Sequence, residues 1–167
     1  MFHKYPSNKK DAYEVGQSLL FGAGGPRMLW SDKVITPTDN RKCTLSIWLK
    51  IAGSNTSSHQ IVNAQTLQGG VNKEFLQLQH WFNPEGSRIE LYDFMVYTAS
   101  GFRWSLRLDQ TFSDAASWYH LVVKYDSTQA VESDRVIFYV NGTEASIDTS
   151  SAYHGYPPLN HPCKWTE

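Results

Sequence analysis

Apolar and polar residues alternate along much of this chain with the period of a β-strand. Leu45, Ile47, Leu49 and Ile51 alternate with Thr44, Ser46, Trp48 and Lys50, so the first set should face a core. Phe102, Trp104, Leu106 and Leu108 alternate with Arg103, Ser105 and Arg107 in the same way, which puts Trp104 in the core. From Trp118 to Tyr125 both faces are apolar: Trp118, His120 and Val122 lie on one, and Tyr119, Leu121, Val123 and Tyr125 on the other. That pattern predicts a central strand with one face in the core and the other lining a concave surface or a partner contact. Strands are expected at about 17–21, 28–30, 43–51, 59–64, 73–80, 87–97, 102–108, 117–125, 134–141 and 143–148. No window carries a helical stripe.

Turn signals punctuate these runs at Gly22 to Pro26, Gly53 to Ser58, Gly69-Gly70, Asn83 to Gly86 and Ser113 to Ala116. The run Asp134-Arg-Val-Ile-Phe-Tyr-Val140 ends on Asn141-Gly142, a pair that suits a tight hairpin because both residues tolerate positive φ. Many short strands with frequent turns indicate an all-β chain, a sandwich or a barrel. Residues 1–16 are polar and turn-rich and read as an arm, and 17–148 as the domain. Residues 149–167 contain three prolines and little alternation, so they read as an irregular tail.

The 167 residues suffice for one domain with a real core. Charged residues make up only 19% and the formal net charge is −1, which gives no electrostatic case for nucleic acid or an anionic membrane. No apolar run reaches the length of a membrane span. The opening Met-Phe-His-Lys-Tyr-Pro lacks the basic-then-apolar pattern of a secretory signal. The expectation is a protein made in a cytoplasm that works there or leaves in an assembled particle. Cys43 and Cys163 are too few for a disulfide framework and are read as two thiols, the alternative being one bond that ties the tail to the body. The sequons at Asn55 and Asn141 are read as a polar loop and a hairpin turn.

Glycoside hydrolysis needs two carboxylates flanking the bond. Glu90 and Asp93, three apart on an expected strand, point to opposite faces. Glu144 and Asp148 share a face at roughly 13 Å, beyond both catalytic spacings. Glu132 and Asp134 are expected to solvate a loop. The six histidines show neither catalytic nor metal spacing; His120 is assigned a hydrogen-bonded structural role, and His59 and His80 loop or strand-end positions. Ser117 lacks a nucleophile-elbow context. No enzyme activity and no cofactor are expected.

Sugar binding needs an exposed aromatic face and a few polar partners rather than a titratable group. Exposed aromatic rings are most expected at Trp81-Phe82, which the turn signal Asn83-Pro84-Glu85-Gly86 puts at a loop tip, at Trp48, out of phase with its aliphatic neighbours, and at Tyr92 beside Glu90 on the non-core face of its strand. These four are the candidate glycan-binding residues, against the alternative that another sheet, a loop or a subunit covers each ring.

Three segments together resemble one known family. They are Leu19-Leu20-Phe21 before a Gly-rich turn, Cys43-Thr-Leu-Ser-Ile-Trp-Leu-Lys50, and Ser117-Trp-Tyr-His-Leu-Val-Val followed by Tyr-Val-Asn-Gly142. Over about 17–148 the chain is similar to laminin-G-like, concanavalin A-like jelly-roll domains, and its wording most resembles those of tailed-phage virion proteins. The resemblance implies a two-sheet antiparallel β-sandwich that lacks the family's last strands, leaving a sheet edge for a partner chain or the N-terminal arm to cover. It also implies a possible loop-edge Ca2+, for which Asp109, Asp114, Asp126 and Asp134 are the candidates, although their spacing forms no calcium loop and turn-capping explains each. Two roles follow as expectations. One is a non-enzymatic structural component of a virus particle, a capsid decoration or tail-associated subunit that forms homo-oligomers or contacts other virion subunits. The alternative is a lectin-like module, extracellular in action, that binds glycans on a host surface.

Overall fold

The computed structural model describes residues 37–51, 59–68, 71–83, 86–95, 102–152 and 154–166, all within one unit spanning 34–167. The strands expected at 17–21 and 28–30 and the N-terminal arm lie outside the described residues.

Two antiparallel four-stranded sheets make up the fold. The first contains β1 (Lys42–Leu49), β6 (Tyr119–Asp126), β7 (Val136–Val140) and β8 (Thr143–Glu144), in the order β1-β6-β7-β8. The second contains β2 (His59–Gln68), β3 (Val71–Asn83), β4 (Gly86–Met95) and β5 (Phe102–Arg107), in sequence order. The alternating residues do what their period requires. Leu121, Val123 and Tyr125 of β6 and Val136, Phe138 and Val140 of β7 are buried, and they pack with Leu76, Leu78, Ile89, Leu91, Trp104 and Leu106 of the facing sheet. Cys43, Leu45, Ile47 and Leu49 of β1 border this core. The arrangement is a β-sandwich, as the resemblance implied.

The hairpins follow local chemistry. Asn141 and Gly142 join β7 to β8 with φ of 52° and 82°, the pair of positive values that a type I′ turn needs. β3 continues to Asn83, which pairs with Gly86. Trp81 and Phe82 are therefore strand residues opposite Arg88 and Ser87 rather than loop-tip residues, and His80 is a buried mid-strand residue hydrogen-bonded to Ser87. The strand expected over 143–148 stops at Glu144, after which Ile147 makes a single bridge to Leu108.

The tail is irregular but tightly placed. It crosses from β8 to the free edge of β5, where the Asp148 N–H donates to Arg107 O and the Gly155 N–H to Ser105 O. The tail then continues past β1, where the Cys163 N–H donates to Asn40 O, and ends on a short 3-10 turn, Lys164–Thr166, whose Trp165 Nε1 donates to Leu76 O. The tail's own backbone thus satisfies part of an edge strand that would otherwise present bare N–H and C=O groups.

Candidate functional site

The outer face of the first sheet carries the most exposed aromatic surface among the described residues. Pairing of β1 with β6 sets Trp48 directly opposite His120, Ser46 opposite Val122, and Thr44 opposite Lys124. These side chains alternate with the core-facing ones and so point away from the sandwich. Trp48 is 56% exposed, and Trp118, two residues before His120, is 41% exposed.

His120 is the fixed point of this patch. Its ring stacks on that of Trp48 with centroids 4.8 Å apart and planes 17° from parallel. Its Nε2 lies 2.9 Å from Ser46 Oγ, and its backbone N–H donates to Asn141 Oδ1 at 2.9 Å. The Asn141 N–H donates back to His120 O at 2.8 Å, so the hairpin turn is locked to the central strand beside the indole. The result is an exposed indole with one face packed on the imidazole, bordered by hydroxyl and amide groups with hydrogen-bonding capacity.

The outer face of the second sheet differs. Gln77 Nε2 donates to Gln79 Oε1, Gln79 Nε2 donates to Glu90 Oε2, and Ser105 Oγ donates to Glu90 Oε1, at 3.0, 3.0 and 2.7 Å. Tyr92 stands in this ladder at only 9% exposure, and burial, with the nearby Glu90 charge, pushes its hydroxyl pKa up to about 12. Trp81 has the Arg107 guanidinium 5.0 Å above its ring, a cation–π contact that covers one face. Arg107 and Arg88 both reach Asp148 Oδ2, at 2.5 and 2.7 Å. Hydrogen bonds from the Ser150 hydroxyl and N–H, opposed by burial and reinforced by Arg107, hold the Asp148 carboxyl well below the usual carboxylate range.

The four candidate residues do not converge. Trp48 lies on the first sheet, whereas Trp81, Phe82 and Tyr92 lie on the second. The Phe82 side chain lies outside the described residues, and the Tyr92 ring is buried among polar neighbours. The sequence reading did not single out Ser46, Trp118, His120 or Asn141 as ligand-binding residues. The alternation from Trp118 to Tyr125 put His120 on one of two apolar faces without deciding which is the core, and Trp48 was out of phase with its aliphatic neighbours; the burial and the pairing register show that His120 faces outward beside Trp48.

Of the acidic residues weighed for catalysis or calcium, Glu90 faces outward and Asp93 is buried. Asp93 accepts from His161 Nε2 at 2.8 Å, with Arg103 3.6 Å away. Asp114 caps the turn at Ala116 and Ser117, and Asp126 caps the turn at Thr128. Asp134 ends an exposed 3-10 turn, and Asp109 lies 3.9 Å from Arg88. Among the described residues no three His, Cys, Asp or Glu side chains cluster to hold a metal ion.

A laminin G family model described as the concanavalin A-like lectin/glucanases superfamily matches residues 23–161. No curated protein and no solved structure gives a significant match.

Proposed function

Because the chain belongs to the concanavalin A-like lectin/glucanases superfamily, we propose that it is a non-enzymatic module that binds carbohydrate on the outer face of its first sheet. The observation that carries this reading is the exposed indole of Trp48, oriented by the His120 ring stacked on one of its faces. A stacked pair on a regular strand keeps the ring in one orientation, so little side-chain entropy is lost when a pyranose settles on it. Ser46, His120 and Asn141 supply polar contacts at the rim, and Trp118 extends the apolar surface.

The non-enzymatic part rests on how the carboxylates are used. Both Glu90 oxygens accept hydrogen bonds, and Asp148 is tied to Ser150, Arg88 and Arg107. Asp148, whose carboxyl is held strongly ionised, is a poor general acid, whereas glycoside hydrolysis needs one with a raised pKa.

The test is a titration of tryptophan fluorescence against a panel of polysaccharides, followed by a glycan array. Saturable binding that is lost in Trp48→Ala and kept in Trp81→Ala supports the proposal. Absence of binding to every glycan would defeat it. If light scattering then showed a stable oligomer, the same indoles would be assigned to a subunit contact. That outcome would favour the role of a virus-particle component, which rests on the sequence resemblance.

A further inference from the structure

Cys43 and Cys163 lie 120 residues apart in sequence, yet their Sγ atoms are 2.7 Å apart, inside the contact distance of two unbonded sulfurs. Both residues are anchored independently of each other. Cys43 belongs to the regular pairing of β1 with β6, opposite Tyr125. Cys163 is buried, its N–H donates to Asn40 O, and the neighbouring Trp165 and Thr166 bond to Leu76 O and Asn40 O. The sulfurs therefore meet because two rigid elements meet, not because a loose end happens to pass by.

We propose that Cys43 and Cys163 form a disulfide in oxidising surroundings, and that this bond straps the C-terminal tail across the end of the sandwich. A small-molecule disulfide of the glutathione class serves as oxidant. The Cys43 thiolate attacks one of its sulfurs, forming a mixed disulfide and releasing one thiolate. The Cys163 thiolate then attacks the Cys43 sulfur and expels the second. Two protein thiols lose two electrons, the small disulfide gains them, and the two protons pass to the two released thiolates.

The roles follow from position. Cys43 is only partly buried and takes the first step, whereas buried Cys163 resolves the mixed species. The hydrogen bond from Cys163 outweighs the effect of burial and lowers the Cys43 pKa, which favours the attacking thiolate. Closing so long a loop removes much of the unfolded chain's freedom and fastens the segment that covers the β5 edge.

The test incubates the full chain with oxidised glutathione, denatures it in N-ethylmaleimide and weighs it. The expected mass shows no maleimide until a reductant is added, after which two maleimides bind. A tryptic digest without reductant should yield one peptide pair joining Cys43 to Cys163. The oxidised protein should melt roughly 10 °C higher than the reduced one. Cys163→Ser should retain one glutathione on Cys43. Two maleimides after oxidation, a persistent glutathione adduct on the wild-type chain, or a disulfide between chains would each overturn the proposal. If Cys163→Ser does not fold, the wild-type peptide map alone decides.

Discussion

Trp48 and His120 are cross-strand partners whose rings stack 4.8 Å apart on the solvent side of the first sheet. The imidazole is in turn fixed by Ser46, and the His120 backbone by Asn141. Stacked aromatic pairs contribute about 0.5–1.5 kcal/mol beyond their buried area. His120→Ala should therefore cost about 1 kcal/mol of stability and leave the indole free to swing. Polysaccharide binding should weaken by about five- to tenfold, since the ring must then be ordered on binding. Paired denaturant melts and fluorescence titrations check both effects. Unchanged affinity in a folded variant would mean that the imidazole does not orient the ring.

The Asn141-Gly142 turn gives a separate expectation. A Cβ added at Gly142 meets no atom within 4 Å, so sterics with neighbours are not the issue. The backbone is: φ of 82° is unfavourable for an L-residue. Gly142→Ala should destabilise the domain by about 1 kcal/mol, visible as a melting point lower by roughly 2–4 °C. Glycan affinity should change little, because the Asn141 side chain still reaches His120.

Legibility in the sequence depended on locality. The Asn141-Gly142 turn and the alternations over 44–51 and 118–125 are encoded in neighbouring residues, so the main strands and the all-β class could be read directly, while the choice of a sandwich over a barrel came from the family resemblance. The end of β3 could not. Asn83-Pro84-Glu85-Gly86 signals a turn correctly, but only the register shows that Trp81 and Phe82 still belong to the ladder. The aromatic patch needed pairing between strands some seventy residues apart, as Trp48 opposite His120 shows. The tail was hardest, because its order comes from single backbone bonds to β5 and Asn40 and from buried Cys163, none of which leaves a periodic trace.

Asp148 joins the tail to two strands of the second sheet. Its Oδ2 receives Arg88 and Arg107, and its Oδ1 receives Ser150. Asp148→Asn keeps the shape but takes the counter-charge from the largely buried Arg107 and leaves Arg88 with only the exposed Asp109, 3.9 Å away. The expected loss is about 3 kcal/mol at neutral pH, read from urea melts. A loss below about 0.5 kcal/mol would place the pair in the class of surface ion pairs. Hydrogen exchange in residues 149–155 should accelerate in the same variant.

Asp126 sets an acid limb of the stability curve. Burial acts to raise its pKa, but hydrogen bonds from Thr128 and Gln129, with the Lys42 charge 3.5 Å away, outweigh it and bring the value down to about 2. The unfolded value is about 3.9. The folded state therefore binds its proton later than the unfolded state as pH falls. The stabilisation is complete above about pH 5 and is lost between about pH 4 and pH 2. With allowance for solvent screening it amounts to roughly 1 kcal/mol. Asp126→Asn should be less stable than wild type by about that amount at pH 7, and the two should converge as pH approaches 2. Guanidinium midpoints at pH 7, 4, 3 and 2 give the comparison. A gap that stays constant across this range would show that the carboxylate's charge is not what the Thr128 turn and Lys42 stabilise.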